Sequence, residues 1–454
     1  MADPLRSARQ ARCTPLLAAA ILAAGASCSS YFQDYPDTAW PGLEGMRVGD
    51  FAYAAEQFAQ IEGSFGSDAF LGHAEAGMAW HVGGELRKAV DEWLQAAATL
   101  DGFGDRPTIS GRSLTEGTLS LLLNDKTVPY DGEGFEAALL HGFLAWDFLR
   151  LGDLDGAMVE VKRGYEIEQF EEERYGATYG MNRFARFVAA LAQEFDGRYD
   201  EAEIDLNLLA EEASGHPAVE FSRARVRALQ NLEGARAERR KASLVVVYER
   251  DTMPAKVEET VTFQTRRSFG QVALPAFERG DGPPGRLRAM VAGREAGVTE
   301  VLEAVEEVAR QNLSDRIGWI TTKELARAAG KTILIDAAAE AAEDEHGDWA
   351  GLLVGLAGSV LNVATQSADL RSWLTLPRDV QVLRVEVEPG PHVVRLELIG
   401  AGGAGNGQPW ADLGVIHFEA GRTVLVGARS LGGALHAAAP RERNAKPRTD
   451  TVQP

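Results

Sequence analysis

The stretch Gly84-Glu-Leu-Arg-Lys-Ala89 has three counterparts of the same outline: Gly49-Asp-Phe-Ala-Tyr-Ala54, Gly152-Asp-Leu-Asp-Gly-Ala157 and Gly197-Arg-Tyr-Asp-Glu-Ala202. Each is a glycine followed, five residues on, by an alanine. The four begin 35, 68 and 45 residues apart, and the middle interval is two units of 34. A glycine turn and a small residue recurring near this period predict stacked helix–turn–helix repeats of the tetratricopeptide kind. Around the second copy, Gly77, Trp80, Leu86, Trp93 and Ala96 fit the same pattern. Small residues let paired helices approach, and aromatic ones fill the space between neighbours. Around the third lie Leu144, Ala145, Phe148, Leu154 and Val161, and around the fourth Ala189, Ala190, Tyr199 and Leu206.

Working outward, the expected fold is α+β: a helical repeat layer over 46–240, then a mixed domain over 241–436. Ser243–Glu249 is a β-branched run that reads as a buried strand, and Val257–Gln264 alternates like a second. A helical segment is expected from about Thr299 to Glu343, with a break near Asn312–Gly318. Val380–Val387, His392–Ile399, Leu413–Phe418 and Arg422–Ala428, separated by turn residues, predict an antiparallel meander. Between helix and strands, Gly347, Gly351, Gly355 and Gly358 punctuate an apolar run. Glycine at every fourth position makes a flat stripe for close helix packing, for oligomerisation or for membrane insertion, although the run is short for a span. The tail from 437 to 454, polar and Pro-containing, reads as disordered.

The first residues read as an address. Arg6, Arg9 and Arg12 precede the apolar run Leu16–Ala24, and Gly25-Ala-Ser27 leads to Cys28. This is the outline of a secretory signal over 1–27, too short for a spanning helix. Gly-Ala-Ser-Cys resembles a bacterial lipobox, which implies acylation of Cys28 and an anchor on the periplasmic side of the outer membrane; ordinary cleavage beside an incidental cysteine is the alternative. Residues 28–45, rich in Pro, Asp and Tyr, read as a tether. The only other cysteine is Cys13, so the mature chain can hold no disulfide framework.

A formal charge of −21 argues against a nucleic-acid binder, which needs a basic surface. The sequence offers no metal site, cofactor site or catalytic constellation, and no enzymatic activity is expected. Gly400–Gly405 fits GxGxxG but is followed by Pro409 and a strand, not by a helix N-terminus. Gly330-Lys-Thr332 lacks the earlier glycine of a P-loop, and Ala428–Gly432 lacks the helix that follows a nucleophile elbow.

The candidates for binding a partner are Lys162, Arg163 and Glu166, on a charged helix that could line the concave face of the repeats, together with Arg371 and Trp373. The last two act as a site only if both are exposed in a groove; otherwise Trp373 is a core plug and Arg371 a buried clamp. The basic cluster Arg223, Arg225, Arg227, Arg236, Arg239, Arg240 and Lys241 reads as a polar cap on the repeats, or as a surface for lipid headgroups or an acidic partner.

Ser120–Glu160 (SLLLNDKTVPYDGEGFEAALLHGFLAWDFLRLGDLDGAMVE) and Ala368–Gln381 (ADLRSWLTLPRDVQ) resemble a family of uncharacterised bacterial lipoproteins with tetratricopeptide-like repeats and a C-terminal α/β domain. The Arg-Ser-Trp…Leu-Pro phrase is the more specific element, and Leu370 stands where a smaller or more polar residue is usual. The resemblance covers most of the mature chain. It implies a lipid-anchored envelope protein with a protein partner and no assigned catalysis, in the company of envelope or peptidoglycan-assembly factors. The function expected is a scaffold that binds a partner through its repeats. The alternatives are a peptidoglycan- or glycan-binding protein, or an envelope-assembly factor, with its site in the C-terminal domain around Arg371 and Trp373, and an oligomeric export component using the glycine stripe.

Overall fold

The computed structural model describes residues 34–61, 67–104, 129–130, 132–175, 182–264, 269–278, 285–346, 349, 351–356, 367–400 and 409–440. The expected signal, Cys28, the segment around Asn124, Gly347, Gly358, most of the Gly400–Gly405 loop and the tail beyond Pro440 lie outside them. The chain is mixed α+β, with helices in its N-terminal half and sheets in its C-terminal part.

Among the described residues ten helices come first: α1 Tyr35–Val48, α2 Phe51–Phe58, α3 Ala69–Val82, α4 Leu86–Gly104, α5 Gly134–Leu151, α6 Leu154–Tyr175, α7 Arg183–Asp196, α8 Tyr199–Glu212, α9 Pro217–Leu229 and α10 Leu232–Glu238. They form successive antiparallel pairs. The four glycines of the repeated phrase sit between the two helices of a pair, at φ of 83°, 78°, 78° and 80°. This left-handed region is open to glycine without steric cost, which is why the turn needs that residue. The four alanines, Ala54, Ala89, Ala157 and Ala202, are fully buried where the helices of each pair meet.

The region expected as a tether contains α1. Its Pro36 stands in the first turn, where no backbone donor is needed, so the proline that suggested a loop is compatible with a helix start. Tyr35, Ala39 and Met46 anchor it in the core.

The C-terminal part holds β1 Ala242–Arg250, β2 Lys256–Gln264, β3 Phe269–Phe277, β4 Arg286–Val291, β5 Arg294–Val298, β6 Glu300–Glu303, α11 Val305–His346, β7 Asp379–Val387, β8 Gly390–Ile399, β9 Trp410–Phe418, β10 Thr423–Leu431 and β11 Ala434–Ala437. They make a five-stranded sheet in the order β11-β10-β1-β7-β6, a two-stranded β2–β3 ribbon, and a four-stranded sheet in the order β5-β4-β8-β9. Strand β1, all apolar but for its ends, is buried along nearly its whole length, as its β-branched run required.

Three expectations are corrected. The four late strands are not one meander. Only β8 and β9 pair as foreseen; β7 pairs antiparallel with β1, and β10 returns across the molecule to pair parallel with β1, Ser243 opposite Thr423. The helical segment does not begin at Thr299, because residues 300–303 are strand β6 and the Thr299 hydroxyl is fixed between Leu287 N and Gln381. Nor does it break near Asn312–Gly318. Helix α11 runs unbroken for 42 residues; an interior glycine costs about 1 kcal/mol, which packing along β3 offsets.

The helices and the five-stranded sheet do not keep separate cores across residue 240. One apolar cluster contains Trp93, Phe143 and Phe184 from the helices, Val245 and Val247 from β1, Leu425 from β10 and Trp373 from the segment before β7. A second cluster lies between the two larger sheets, around Tyr248, Leu396 and Phe418.

Candidate functional site

The helices α3, α5, α7 and α9 form the inner row of the helical layer, and the five-stranded sheet lies across them. The seam between them is rich in charge. His81 of α3 bridges Asp147 of α5 and Glu249 of β1, at 2.8 Å from each ring nitrogen. Arg429 of β10 donates to Glu249 at 2.9 Å. Glu194 of α7 accepts both terminal nitrogens of Arg384 of β7, at 2.8 and 2.7 Å, and Nε of Arg225 of α9 at 2.9 Å. Glu303 at the end of β6 accepts the backbone N–H groups of Arg183 and Phe184, capping α7 from the sheet.

The segment 368–376 passes through this seam without pairing to any strand. A buried stretch of irregular backbone must have its polar groups satisfied from elsewhere. Here side chains of the inner row supply the partners. Glu75 of α3 accepts the Leu374 N–H at 2.7 Å and the Thr375 N–H at 2.9 Å. Glu136 of α5 accepts the Trp373 N–H at 2.8 Å and the Tyr130 hydroxyl at 2.7 Å. Lys256 donates to the Arg371 carbonyl at 3.0 Å and to Glu133 at 2.7 Å, and Arg429 donates to the Thr375 carbonyl at 2.7 Å. The buried charges on both sides of the segment thus have a structural use.

Burial and pairing set their protonation. Burial pushes Glu75, Glu136 and Glu303 up to about 7, although each accepts backbone hydrogen bonds that favour the carboxylate. Burial opposes charge on His81, but Asp147 and Glu249 outweigh it and raise His81 to about 9. Burial would raise Glu249, yet His81 and Arg429 bring it down to about 2. The result at neutral pH is an imidazolium locked between two carboxylates. Both ring nitrogens are engaged, and the cavity beside it is only about 10 Å3. It is a strut in the fold and lacks the room to meet a substrate.

Trp373 is 1% exposed. Its ring lies 6.4 Å, centre to centre, from each of Phe70, Trp93 and Phe143, and its indole N–H donates to the Thr375 hydroxyl. Of the two alternatives for this pair, the structure shows Trp373 as the plug, joining three helices to the sheet and not exposed in a groove. Arg371 is clamped by both oxygens of Asp369 and by Asp68, and its guanidinium stands over the Tyr130 ring. One side of it borders a cavity of about 250 Å3, lined also by Tyr130, Glu133, Lys256, Leu313 and Ile320. Oxygen Oε2 of Glu133 is buried there without a hydrogen-bond partner.

Lys162 and Glu166 lie on α6, in the outer row, with side chains 79% and 63% exposed and a mutual separation of 3.6 Å. Arg163 is half-exposed and 3.4 Å from Glu160. They do not line a concave face shared with partners, because the inner face is occupied by the chain's own sheet and by residues 368–376. Part of the arginine cluster is tied up within the fold, while Arg236, Arg239 and Arg240 are exposed. Arg225 is buried between Glu194 and Glu238, Arg223 pairs with Glu220, and Arg227 pairs with Glu203.

Gly351 of the glycine stripe lies in a short helical stretch, where an added Cβ would come within 2.8 Å of the Ala339 carbonyl oxygen of α11. The stripe packs this stretch back against α11. Gly330 and Thr332 are inside α11, and Ala428–Gly432 is the end of β10 turning into β11. Among the described residues no group of three or more His, Cys, Asp or Glu could hold a metal ion, and no helix is long and apolar enough to cross a membrane.

The buried charges were the residues that sequence reasoning missed. Their signal is a charged residue type inside an otherwise largely apolar stretch: Glu75 in FLGHAEAGM, Glu249 in SLVVVYER, Arg384 in VQVLRVEV, Arg429 in TVLVGARSL. Comparison with family models, with curated proteins and with solved structures returns no match for this chain.

Proposed function

We propose that the protein is a lipid-anchored scaffold of the bacterial cell envelope, built on tetratricopeptide-like helix pairs and binding a protein partner through their outer row. The repeated glycine–alanine phrase and the buried alanines support the repeat reading, and the Arg6–Cys28 sequence supports the anchor. The observation that carries the choice of surface is the filling of the inner face. Repeats of this kind commonly bind extended segments on that face, and here residues 368–376 and the sheet already occupy it. The outer row, with Lys162, Arg163 and Glu166 of α6, is left for a partner.

Photo-crosslinking from positions 162 and 166 in native envelopes tests this, with position 395 on the four-stranded sheet as reference. A defined protein adduct from 162 and 166, lost when Lys162 and Arg163 are both changed to Glu, is the expected result. Adducts no different from those at 395 would remove the proposal. Mass spectrometry of the mature N-terminus tests the anchor: acylated Cys28 supports it, and a plain cleaved terminus contradicts it.

A second reading, binding of a peptidoglycan fragment or glycan in the C-terminal part, keeps one observation in its favour. The cavity beside Arg371 presents an unpartnered carboxylate oxygen of Glu133, which a ligand hydroxyl or amine could satisfy. Trp373 could not serve it as a stacking platform.

A further inference from the structure

Helix α11, the β2–β3 ribbon and the helical residues 349 and 351–356 form an arm. At 1.5 Å per residue α11 is about 63 Å long, against about 20–27 Å for the inner-row helices of 13 to 18 residues, so much of it runs past the body. One face is buried, through Leu313, Ala328, Thr332 and Ala339. The returning stretch packs on it through Gly351. Its other face carries Trp349, Leu352, Leu353 and Leu356, all exposed, Trp349 at 64% and Leu352 at 61%. Their spacing is i, i+3, i+4, i+7, which places all four on one side of a helix. From Trp349 to Leu356 the sequence has no charged residue, in a chain that is 25% charged. An apolar helix face of this kind, left in water, marks an interaction surface.

The position of the arm indicates what covers that face. Helix α11 passes the N-terminal ends of the inner helices: Glu303, just before it, caps α7, and Leu313 and Ile320 line the cavity with Gly132 and Glu133 at the start of α5. Helix α1 points the same way. Its C-terminal end, at Arg47 and Gly49, lies by Gly432 and His436 at the opposite, β10–β11 end, as Gly84 does by Ala438 at the close of α3. Tyr35, where α1 begins, is therefore at the end of the molecule from which the arm emerges. Only six residues, 29–34, separate it from Cys28, a reach of about 20 Å when extended.

We propose that the Trp349–Leu356 face of the arm docks on the lipid surface to which the N-terminus is tied, as a second, apolar attachment beside the acyl chains. Tryptophan favours the membrane–water interface, and an apolar helix face lying in it adds attachment to that of the acyl chains. The acidity of the flanking Glu340, Glu343 and Asp344, and a net charge of −21, select a zwitterionic surface over an anionic one. The orientation argument rests on the anchored reading of the N-terminus; the test does not.

The mature polypeptide from Ser29 onward, prepared without acyl chains, is mixed with zwitterionic phosphatidylcholine vesicles and with vesicles rich in phosphatidylglycerol, and sedimented. The comparison is a variant with Trp349, Leu352, Leu353 and Leu356 all changed to Ser. These side chains are exposed, and an unchanged melting temperature checks the fold. Co-sedimentation with zwitterionic vesicles, weaker on anionic ones and at least tenfold weaker for the variant, is the expected result. No sedimentation of the parent chain overturns the inference whether or not Cys28 is acylated in the cell. So does a vesicle-free dimer of the parent chain that the variant lacks, since the face would then be covered by a second copy. Vesicle binding with an unacylated native Cys28 would uphold the inference and contradict the anchor reading alone.

Discussion

The seam and the arm invert each other. Between the inner helices and the five-stranded sheet, Glu75, Glu136, Glu194, Glu249, Arg384 and Arg429 are buried. On the arm, Trp349, Leu352, Leu353 and Leu356 are in water. A hydropathy reading assigns the first group to the surface and the second to the core. The difference lies in what each region has to satisfy. The seam encloses a segment with no strand partner, so its backbone groups need charged side chains. On the arm, residues 351–356 pack on α11 through Gly351, and the face carrying Leu352, Leu353 and Leu356 is left exposed.

The strongest way to break the seam is to orphan a charge in it. Glu194→Leu leaves Arg384 and Arg225 buried without their shared carboxylate, and should cost about 3–5 kcal/mol in denaturant unfolding. Adding Arg384→Met should recover part of that loss, because two apolar groups replace a pair; no recovery would mean that the two residues are not coupled. Trp373→Ala should cost a similar amount, about 3–5 kcal/mol, by emptying the contact among Phe70, Trp93 and Phe143. A loss under 1 kcal/mol would show that helices and sheet do not depend on this plug.

The pH dependence of stability sharpens the comparison, since its main groups are all in the seam. Glu75, Glu136 and Glu303 titrate near 7 in the folded chain, against an ordinary 4.5. The folded state therefore holds more protons between these values, and stability should fall as pH rises from about 4.5 to 7. His81, raised from 6.5 to about 9, adds stability that is complete below 6.5 and is lost as pH rises through 9. Glu249, lowered to about 2, adds stability that is present above 4.5 and is lost as pH falls toward 2. Melting temperatures across this range should peak in mild acid. In His81→Gln the decline between pH 6.5 and 9 should flatten, and an unchanged slope would contradict the assignment.

The smallest effects belong outside the seam. Lys162→Ala should change stability by less than about 0.5 kcal/mol, because an exposed pair contributes little. A larger loss would mean that α6 supports the fold and is not a free outer surface.

How legible all this was differs by element. Gly49, Gly84, Gly152 and Gly197 announce their turns because a left-handed backbone leaves few alternatives, and the alanine five residues on follows from helix contact. Strand β1 announces itself by its run of β-branched residues. Its partner β10 does not, since Ser243 and Thr423 meet across 180 residues and nothing local encodes parallel pairing. Helix α1 hid behind Pro36 and Pro41, residues that read as a linker, although Pro36 falls in the first turn and Pro41 inside the helix. Arg371 and Trp373 were singled out together, but residue type alone does not distinguish a clamp and a plug from a binding cleft. Lys162, Arg163 and Glu166 were placed on a charged helix, and the face it turns outward depended on the sheet that closes the inner row.

Hydrogen exchange of the whole mature chain, read by peptide, tests most directly whether the inner face is closed. The Trp373, Leu374 and Thr375 amides should be protected as strongly as those of α5 and β1, and residues 351–356 should exchange far faster. Fast exchange across 373–375, slowed by an added extended peptide, would show an open groove and move the partner site to the inner face.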